Sequence, residues 1–242
     1  MDIKIPYTPR KHQSYLHKQI DKNRWSVLVC HRRFGKTVCM INHLIRSALL
    51  SKLKNPRFAY IAPTFKQAKS IAWDYMKQFT DKIPYIKFNE TELRVDLPNG
   101  SRITLLGSDS PDGLRGIYLD GCVIDEYANV NSKLFPEIIR PALSDRKGYC
   151  VFIGTPQGMN NNFYELYQHS QGAEDWFNYK AKASETKIVD PDELVKAKEV
   201  MGEKKYNQEF ECDWIANIEG AVFGDVIGKL DDQKQLTRVP YD

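Results

Sequence analysis

A short cationic loop between an apolar strand and an apolar helix constrains the fold of this chain more than any other feature. Residues 25–29 predict a buried strand and residues 38–45 a packed helix. Between them, residues 30–37 read Cys-His-Arg-Arg-Phe-Gly-Lys-Thr. Backbone N–H groups at such a turn point at an anion, and the dipole of the following helix favours negative charge. The loop therefore predicts a phosphate-binding site, with Lys36 reaching the β- and γ-phosphates and Thr37 offering its hydroxyl to Mg²⁺.

This loop departs from the usual phosphate-binding pattern at its first position. The usual pattern opens with Gly, and position 30 is Cys. The match therefore consists of Gly35, Lys36 and Thr37 together with the preceding strand, a combination that an ordinary strand-to-helix turn also satisfies. A second strand that ends in carboxylates is needed before the loop predicts an ATPase.

Such a strand lies further along the chain. Residues 121–124 predict a buried strand, and Asp125 and Glu126 stand at its carboxyl end, where ligands bind in open α/β sheets. Asp125 suits the Mg²⁺ shell that Thr37 joins, and Glu126 suits orienting the attacking water. A solvent-facing strand end is the ordinary alternative for an acidic pair. Combined with the Gly-Lys-Thr loop, the pair predicts an ATP site with Mg²⁺.

Polar and aromatic residues precede the first strand. A side chain such as Gln13 donates and accepts at once, which is what the N6 and N7 edge of adenine requires. Tyr7 and Arg10 suit stacking on the base or contact with the phosphates. The alternative is a surface Gln at the start of a helix.

A polar, Gly-rich loop at residues 108–116 presents Arg115 shortly before the acidic strand. An Arg in such a loop suits delivery of positive charge to the γ-phosphate of a neighbouring subunit. The equally good alternative is a surface loop in which Arg115 pairs with Asp109 or Asp112.

Another apolar strand, residues 149–153, ends in Gly154, Thr155 and Pro156. A polar Thr at the tip of a strand next to the site is placed to contact the γ-phosphate. Loss of that phosphate could then be transmitted through the Thr to segments that change position. The alternative is a plain turn between strand and helix, for which Gly and Pro are common.

The remaining segments predict a mainly parallel sheet flanked by helices, with an antiparallel hairpin at its edge. The hairpin comprises residues 92–97 and 101–106 around a Pro-Asn-Gly turn. Further strands are expected at residues 58–62 and 176–181, and helices at 65–79, 132–143, 162–169, 191–201 and 204–212. In the helix over 65–79, the residues expected on the buried face are Ile71, Tyr75, Met76 and Phe79.

Composition limits the class of protein. A chain of 242 residues is long enough for one substantial α/β core. Its net charge of +4 is compatible with a nucleic-acid partner and equally with an ordinary soluble protein. Five cysteines without a CxxC pair argue against a disulfide framework and a zinc site. No signal peptide or membrane-length apolar run is present in the sequence, so we expect a cytosolic protein.

In this combination and order, the motifs resemble the ATPase domain of a tailed-phage terminase large subunit. The resemblance covers about residues 5–218, and its most specific pieces are residues 32–37, 114–116, 154–156 and 206–210. In that family the phosphate-binding loop often lacks its first Gly, which removes the objection raised by Cys30. The resemblance implies a P-loop NTPase of the additional-strand-catalytic-glutamate (ASCE), RecA-like class, with a small helical lid.

The resemblance also implies a DNA-packaging motor and its partners. ATP hydrolysis would drive double-stranded DNA into a procapsid, with the portal protein and the small terminase subunit as partners. The motor would be a homo-oligomeric ring, commonly a pentamer, transiently docked on the procapsid in the host cytoplasm. For the isolated fragment, a monomer is the alternative.

Site residues follow from the same resemblance. The residues implied to bind nucleotide are Tyr7, Arg10, Gln13, Arg33, Phe34, Gly35, Lys36, Thr37 and Thr155, with Thr155 in the coupling motif. Thr37 and Asp125 would hold the metal, and Glu126 would act on the water. Arg115 would be the arginine finger supplied in trans, although some relatives use an Arg inside the phosphate-binding loop, so Arg32 and Arg33 are rivals.

The chain is expected to divide into an ATPase core at residues 1–185, a helical lid at 186–218 and a linker at 219–242. Full-length family members continue into an RNase H-like nuclease, which cannot fit in the residues after the lid. We therefore expect an isolated ATPase fragment that cuts no DNA and turns over slowly without ring neighbours.

Two other functions fit part of the pattern. The first domain of a superfamily-2 helicase also has an upstream Gln, a Gly-Lys-Thr loop and an acidic strand end, but it needs a second RecA-like domain to complete its site. A non-hydrolysing DNA-binding or portal-binding module would keep the loop only for structure. The joint presence of Lys36, Thr37, Asp125 and Glu126 argues against that module.

Overall fold

The computed structural model describes residues 4–109, 114 and 116–215, and within them eight strands form one sheet. The strands are β1 (Trp25–Cys30), β2 (Arg57–Ala62), β3 (Lys87–Asn89), β4 (Arg94–Asp96), β5 (Arg102–Gly107), β6 (Gly121–Ile124), β7 (Tyr149–Gly154) and β8 (Trp176–Ala181). Their order across the sheet is β3-β4-β5-β2-β6-β7-β1-β8. Every pair from β5 to β8 in this order is parallel, whereas β3 and β4 add to the edge in antiparallel fashion.

Helices cover both faces of the sheet. They are α1 (Lys11–Ile20), α2 (Lys36–Leu50), α3 (Phe65–Gln67), α4 (Asp74–Thr80), α5 (Arg140–Ala142), α6 (Asn162–Ser170), α7 (Ala183–Thr186), α8 (Pro191–Met201) and α9 (Glu203–Phe210). Two π-helical segments, Ala68–Trp73 and Leu134–Ile139, and a short 3₁₀ turn at Tyr127–Asn129 complete the set. The predicted mainly parallel α/β fold with an antiparallel edge hairpin is therefore confirmed.

Alternate residues of the central strands face two separate apolar cores. In β1, Leu28 and Cys30 pack under α1 and α2, while Val27 and Val29 pack on the opposite face with residues of the second π-helical segment and α6. All of β1 and β6 is buried, as expected of strands covered on both sides. Each fully buried aliphatic side chain stabilises the fold by about 1.5–3 kcal/mol.

The predicted helix over residues 65–79 forms, but its buried face was partly wrong. Met76 and Phe79 are buried as expected, whereas Ile71 and Tyr75 are exposed. The helix contains the π-helical segment Ala68–Trp73, whose wider turn rotates the residues around the axis relative to a regular 3.6-residue period. Trp73 consequently takes the buried position.

Three helix starts are fixed by side-chain caps. The Thr64 hydroxyl accepts the backbone N–H of Gln67 over 3.2 Å. Asn161 caps α6, and Asp190 caps α8 by accepting from the first-turn N–H groups. Helix α8 has no buried residue, so this cap is a large part of what holds it.

No helix in the described part of the chain is long and apolar enough to cross a membrane. All five cysteines are buried. The division into core, lid and linker stays a prediction, and the linker at 219–242 lies outside the described residues.

The order of the strands positions the site. Strand β7 lies between β1 and β6, and these three strands are parallel. Their carboxyl ends therefore meet at one edge of the sheet, where the loop after β1, the acidic pair after β6 and Thr155 after β7 all follow.

Candidate nucleotide-binding site

The loop between β1 and α2 is a tight turn built on left-handed backbone. Arg33 and Gly35 have φ angles of 70° and 89°, and the N–H of Phe34 donates to the carbonyl of His31 over 3.3 Å. A Cβ atom at Gly35 would lie 3.0 Å from Nε2 of Gln13, so this position needs Gly for both space and conformation. The loop leads directly into the N-terminus of α2, as an anion-binding turn requires.

The ammonium group of Lys36 joins two of the loops. Its Nζ donates to the carbonyl of Cys30 and to the hydroxyl of Thr155, each over 3.1 Å. Burial raises the pKa of both Asp125 and Glu126, and the nearby Lys36 charge opposes the rise. The structure therefore brings the Gly-Lys-Thr loop, Thr155 and the acidic pair together.

Asp125 is 7% exposed and held by two donors. The Tyr60 hydroxyl donates to Oδ2, and the backbone N–H of Glu126 donates to Oδ1 over 2.9 Å. Burial raises the pKa of Tyr60, and Thr37 opposes the rise, so Thr37 and Asp125 both lie near the Tyr60 phenol. Burial raises the pKa of Asp125 above its usual range, although the Tyr60 hydrogen bond and Lys36 oppose the rise.

Tyr60 was missed as a site residue. Tyr60 stands at the centre of an otherwise apolar, buried strand, and a buried Tyr hydroxyl needs a hydrogen-bond partner. This need was the only indication in the sequence that Tyr60 contacts another polar group. The sequence does not say which polar group supplies the partner, because Asp125 is 65 positions away.

Glu126 leaves the strand through a left-handed backbone conformation, with φ 45° and ψ 50°. Such a conformation is uncommon outside Gly and occurs both in turns and at functional sites, where strained residues cluster. Burial raises the pKa of Glu126 against the attraction of Lys36, and the nearby negative charges of Asp125 and Glu209 add to the rise. The Thr155 backbone opposes this rise.

The N-terminal residues lie against the same loop. Gln13 is buried, and its Nε2 donates to the carbonyl of Gly35 over 3.3 Å, so it is not a surface residue. Its Oε1 accepts the backbone N–H of Arg10 over 2.9 Å, and Nη1 of Arg10 donates to the carbonyl of Phe34 over 3.4 Å. These contacts tie the segment to the loop, while recognition of adenine stays a prediction.

Two aromatic residues of the predicted set are packed into the protein. The ring of Tyr7 meets Phe79 edge-on with centroids 6.0 Å apart, and its hydroxyl lies 3.1 Å from Nε2 of His17. Phe34 is fully buried and packs edge-on against His31 at 5.6 Å. The Phe34 side chain thus anchors the loop, and only its backbone is available to a phosphate.

The candidate arginine fingers occupy different surroundings. Arg32 and Arg33 are exposed, and the guanidinium of Arg32 lies 3.8 Å from the carboxylate of Glu209. The backbone N–H of Arg32 donates to the carbonyl of Glu209 over 2.7 Å. Arg115 lies outside the described residues. The choice among the three arginines stays a prediction.

Comparison with known proteins identifies the family. Residues 29–224 match the family model described as terminase large subunit, T4-like-virus type, N-terminal. The chain belongs to the terminase large-subunit family. The terminase large subunit of Thermus phage G20c is 31% identical over an alignment of 182 residues, and the match covers 67% of this chain and 36% of that protein. This terminase chain therefore spans about a third of the length of the curated relatives that it matches.

Solved structures show the same fold at lower identity. The large terminase ATPase domain of Thermus phage P74-26 superposes with a TM-score of 0.73 at 20% identity, covering 87% of this chain and 95% of that one. The large terminase of a thermophilic bacteriophage in complex with ADP gives a TM-score of 0.73 at 15% identity, covering 84% of this chain and 53% of that one. The predicted resemblance to terminases is confirmed, and it replaces the helicase alternative.

Proposed function

We propose that this terminase chain binds ATP with Mg²⁺ and hydrolyses it to power the packaging of double-stranded DNA. The observation that carries the proposal is the meeting of Lys36, Thr37, Asp125 and Glu126 at one edge of the sheet, with Thr155 between them. ATP hydrolysis requires both phosphate binding and activation of a water molecule, and in this proposal neighbouring side chains meet the two requirements.

Each residue has a distinct part. The backbone of the loop and Lys36 hold the β- and γ-phosphates, and Glu126 orients the attacking water and accepts its proton. Gln13 and Arg10, which touch the loop, hold the adenine side, and Tyr7 supports them. The ADP complex of the thermophilic-phage terminase supports nucleotide binding in the family.

The donor set suits Mg²⁺. A carboxylate at Asp125 and a hydroxyl at Thr37 are hard oxygen ligands, and the burial that raises the pKa of Asp125 is what a bound divalent cation would offset. Bound there, Mg²⁺ would neutralise charge on the phosphates.

A further step of the proposal concerns assembly. We assign Arg115 as the finger supplied to a neighbouring subunit in a ring, commonly a pentamer, that acts with a portal protein and a small terminase subunit in the host cytoplasm. Family membership supports these partners. Nuclease activity is proposed only for a longer chain.

Nucleotide-dependent thermal stabilisation and phosphate release test the site. Lys36→Ala is expected to abolish the stabilisation by ATP, whereas Glu126→Ala keeps the stabilisation and loses turnover. Lys22→Ala is the matched control, because Lys22 is exposed and precedes β1 at the opposite edge of the sheet. An unchanged thermal shift in Lys36→Ala refutes the phosphate site. Binding without turnover in the wild-type chain under assembling conditions favours the non-hydrolysing module.

The trans assignment has its own test. Mixing Arg115→Ala protein with Glu126→Ala protein under assembling conditions is expected to restore part of the hydrolysis, since each variant supplies what its neighbour lacks. A loss of about 10³–10⁵ in rate is typical when a trans Arg is missing. No rescue in a demonstrably mixed ring would favour Arg32 or Arg33.

A further inference from the structure

One buried amide ties the last described helix to the nucleotide site. Gln208 in α9 is 2% exposed, although most residues of that helix are polar and its first three are exposed. Its Nε2 donates to the carbonyl of Pro156 over 2.7 Å, and its Oε1 accepts from Nζ of Lys205 over 3.2 Å. Both ends of the amide are therefore paired, as buried polar groups need to be.

The partner of this amide stands next to Thr155. The Thr155 hydroxyl accepts from Nζ of Lys36 over 3.1 Å. The segment after β7 is thus held on one side by the Lys36 ammonium and on the other side by α9. A displacement of Thr155 must move Pro156, and with it the acceptor of Gln208.

The neighbouring residue holds α9 to the other loop of the site. The carbonyl of Glu209 accepts the backbone N–H of Arg32 over 2.7 Å. Helix α9 is consequently hydrogen-bonded to both the Gly-Lys-Thr loop and the segment that follows β7. A further hydrogen bond, at the surface, follows the end of α9: the Ser184 hydroxyl donates to Oε2 of Glu211 over 2.6 Å.

We propose that Gln208 is a positioning residue that couples nucleotide binding to the placement of α9. The inference rests on the proposed function. A triphosphate that attracts Lys36 competes with Thr155 for its ammonium protons, and the resulting shift of Thr155 and Pro156 reaches α9 through the Gln208 amide. The lid helix then responds to the state of the phosphates without touching them.

The test is hydrogen exchange of residues 203–210 with and without ADP or a non-hydrolysable ATP analogue and Mg²⁺. In the wild-type chain, nucleotide is expected to change exchange in this segment. Gln208→Leu removes the donor at similar size, so nucleotide affinity stays within about twofold while the change in exchange is lost. The kcat of assembled protein should fall by about tenfold with KM unchanged. Glu211→Gln weakens the exposed hydrogen bond to Ser184, leaves the Gln208–Pro156 contact in place and is expected to keep the nucleotide response.

Distinct outcomes separate this inference from the proposed function. If Gln208→Leu keeps the nucleotide-dependent change in exchange, or if Glu211→Gln loses it equally, the coupling role is overturned. Gln208→Glu, which keeps length and the Lys205 pairing but presents no N–H to Pro156, repeats the comparison should the Leu variant melt too low. A wild-type chain that binds and hydrolyses ATP without any lid response overturns the inference alone. A chain that binds no nucleotide overturns both.

Discussion

Replacing Tyr60 by Phe removes a single oxygen atom from the contact that holds Asp125. The hydroxyl donates to a carboxylate that is buried, and hydrogen bonds to charged groups contribute about 1.5–3 kcal/mol to stability. The ring keeps its place in the core, so no cavity opens. For a chain of this length, that loss corresponds to a melting temperature lower by about 3–12 °C.

The pH dependence of the loss distinguishes this contact from ordinary packing. Burial holds the pKa of Asp125 above its usual range, and the Tyr60 hydrogen bond opposes the rise. Without the phenol the folded-state pKa rises further, so the ionised form becomes still less favourable in the folded chain. The extra destabilisation is therefore fully present above the raised folded-state pKa and disappears as the pH falls through it.

Urea unfolding at about pH 8 and about pH 5 measures both parts of the prediction. Tyr149→Phe is the matched control, because the Tyr149 hydroxyl donates over 3.1 Å to the neutral hydroxyl of Ser47. Its loss should be about 0.5–1.5 kcal/mol and should not depend on the charge of Asp125. If Tyr60→Phe costs no more than Tyr149→Phe and shows no extra loss at the higher pH, the assigned contact with an ionised Asp125 is refuted.

Three further changes test other parts of the site. Gly35→Ala is expected to destabilise the chain by about 1–3 kcal/mol and to abolish nucleotide-dependent stabilisation. Gly172→Ala is the control, because Gly172 has a similar φ and open space around it; this variant should lose only the stability that the backbone strain costs and should keep nucleotide binding. At pH values above the raised folded-state pKa of Glu126, Glu126→Gln should raise the melting temperature, because burial disfavours only the ionised form of the Glu. This gain should be lost as the pH falls through that pKa. A gain that does not depend on pH would contradict burial of the charge as its cause. Asp190→Ala should lower the local stability of α8 by about 1 kcal/mol, measured as faster hydrogen exchange in residues 191–201, since this cap holds a helix with no buried residue; unchanged exchange contradicts that role.

Most of the sheet could be predicted because its signals are local. Each of these signals is contained in a short stretch of sequence. Examples are the runs of buried residues in β1, β6 and β7 and the turn at residues 98–100. The short edge strand β3 escaped prediction, since three residues carry too little alternation to recognise. The π-helical segment also escaped, because its hydrogen-bond shift leaves no mark on the apolar pattern, and the predicted positions of Ile71 and Tyr75 were wrong as a result.

The site divides in the same way between local and distant signals. Lys36, Thr37, Asp125 and Glu126 follow recognisable strands, so their shared edge could be inferred from the rule for parallel sheets. The partners of Tyr60 and Gln208 lie 65 and 52 positions away, and no periodicity joins positions so far apart. A buried polar residue indicates that it has a hydrogen-bond partner, but only the three-dimensional structure identifies which residue that partner is.

Strand order then explains why Thr155 contacts both halves of the site. With β7 inserted between β1 and β6, whatever follows β7 must lie between the loop after β1 and the acidic pair after β6. A direct β1-β6 pairing would bring Lys36 and Glu126 together with no intervening segment. The inserted strand supplies one, and its next residue, Pro156, is the acceptor for Gln208. The contact between α9 and the candidate site is thus a consequence of where β7 lies in the sheet.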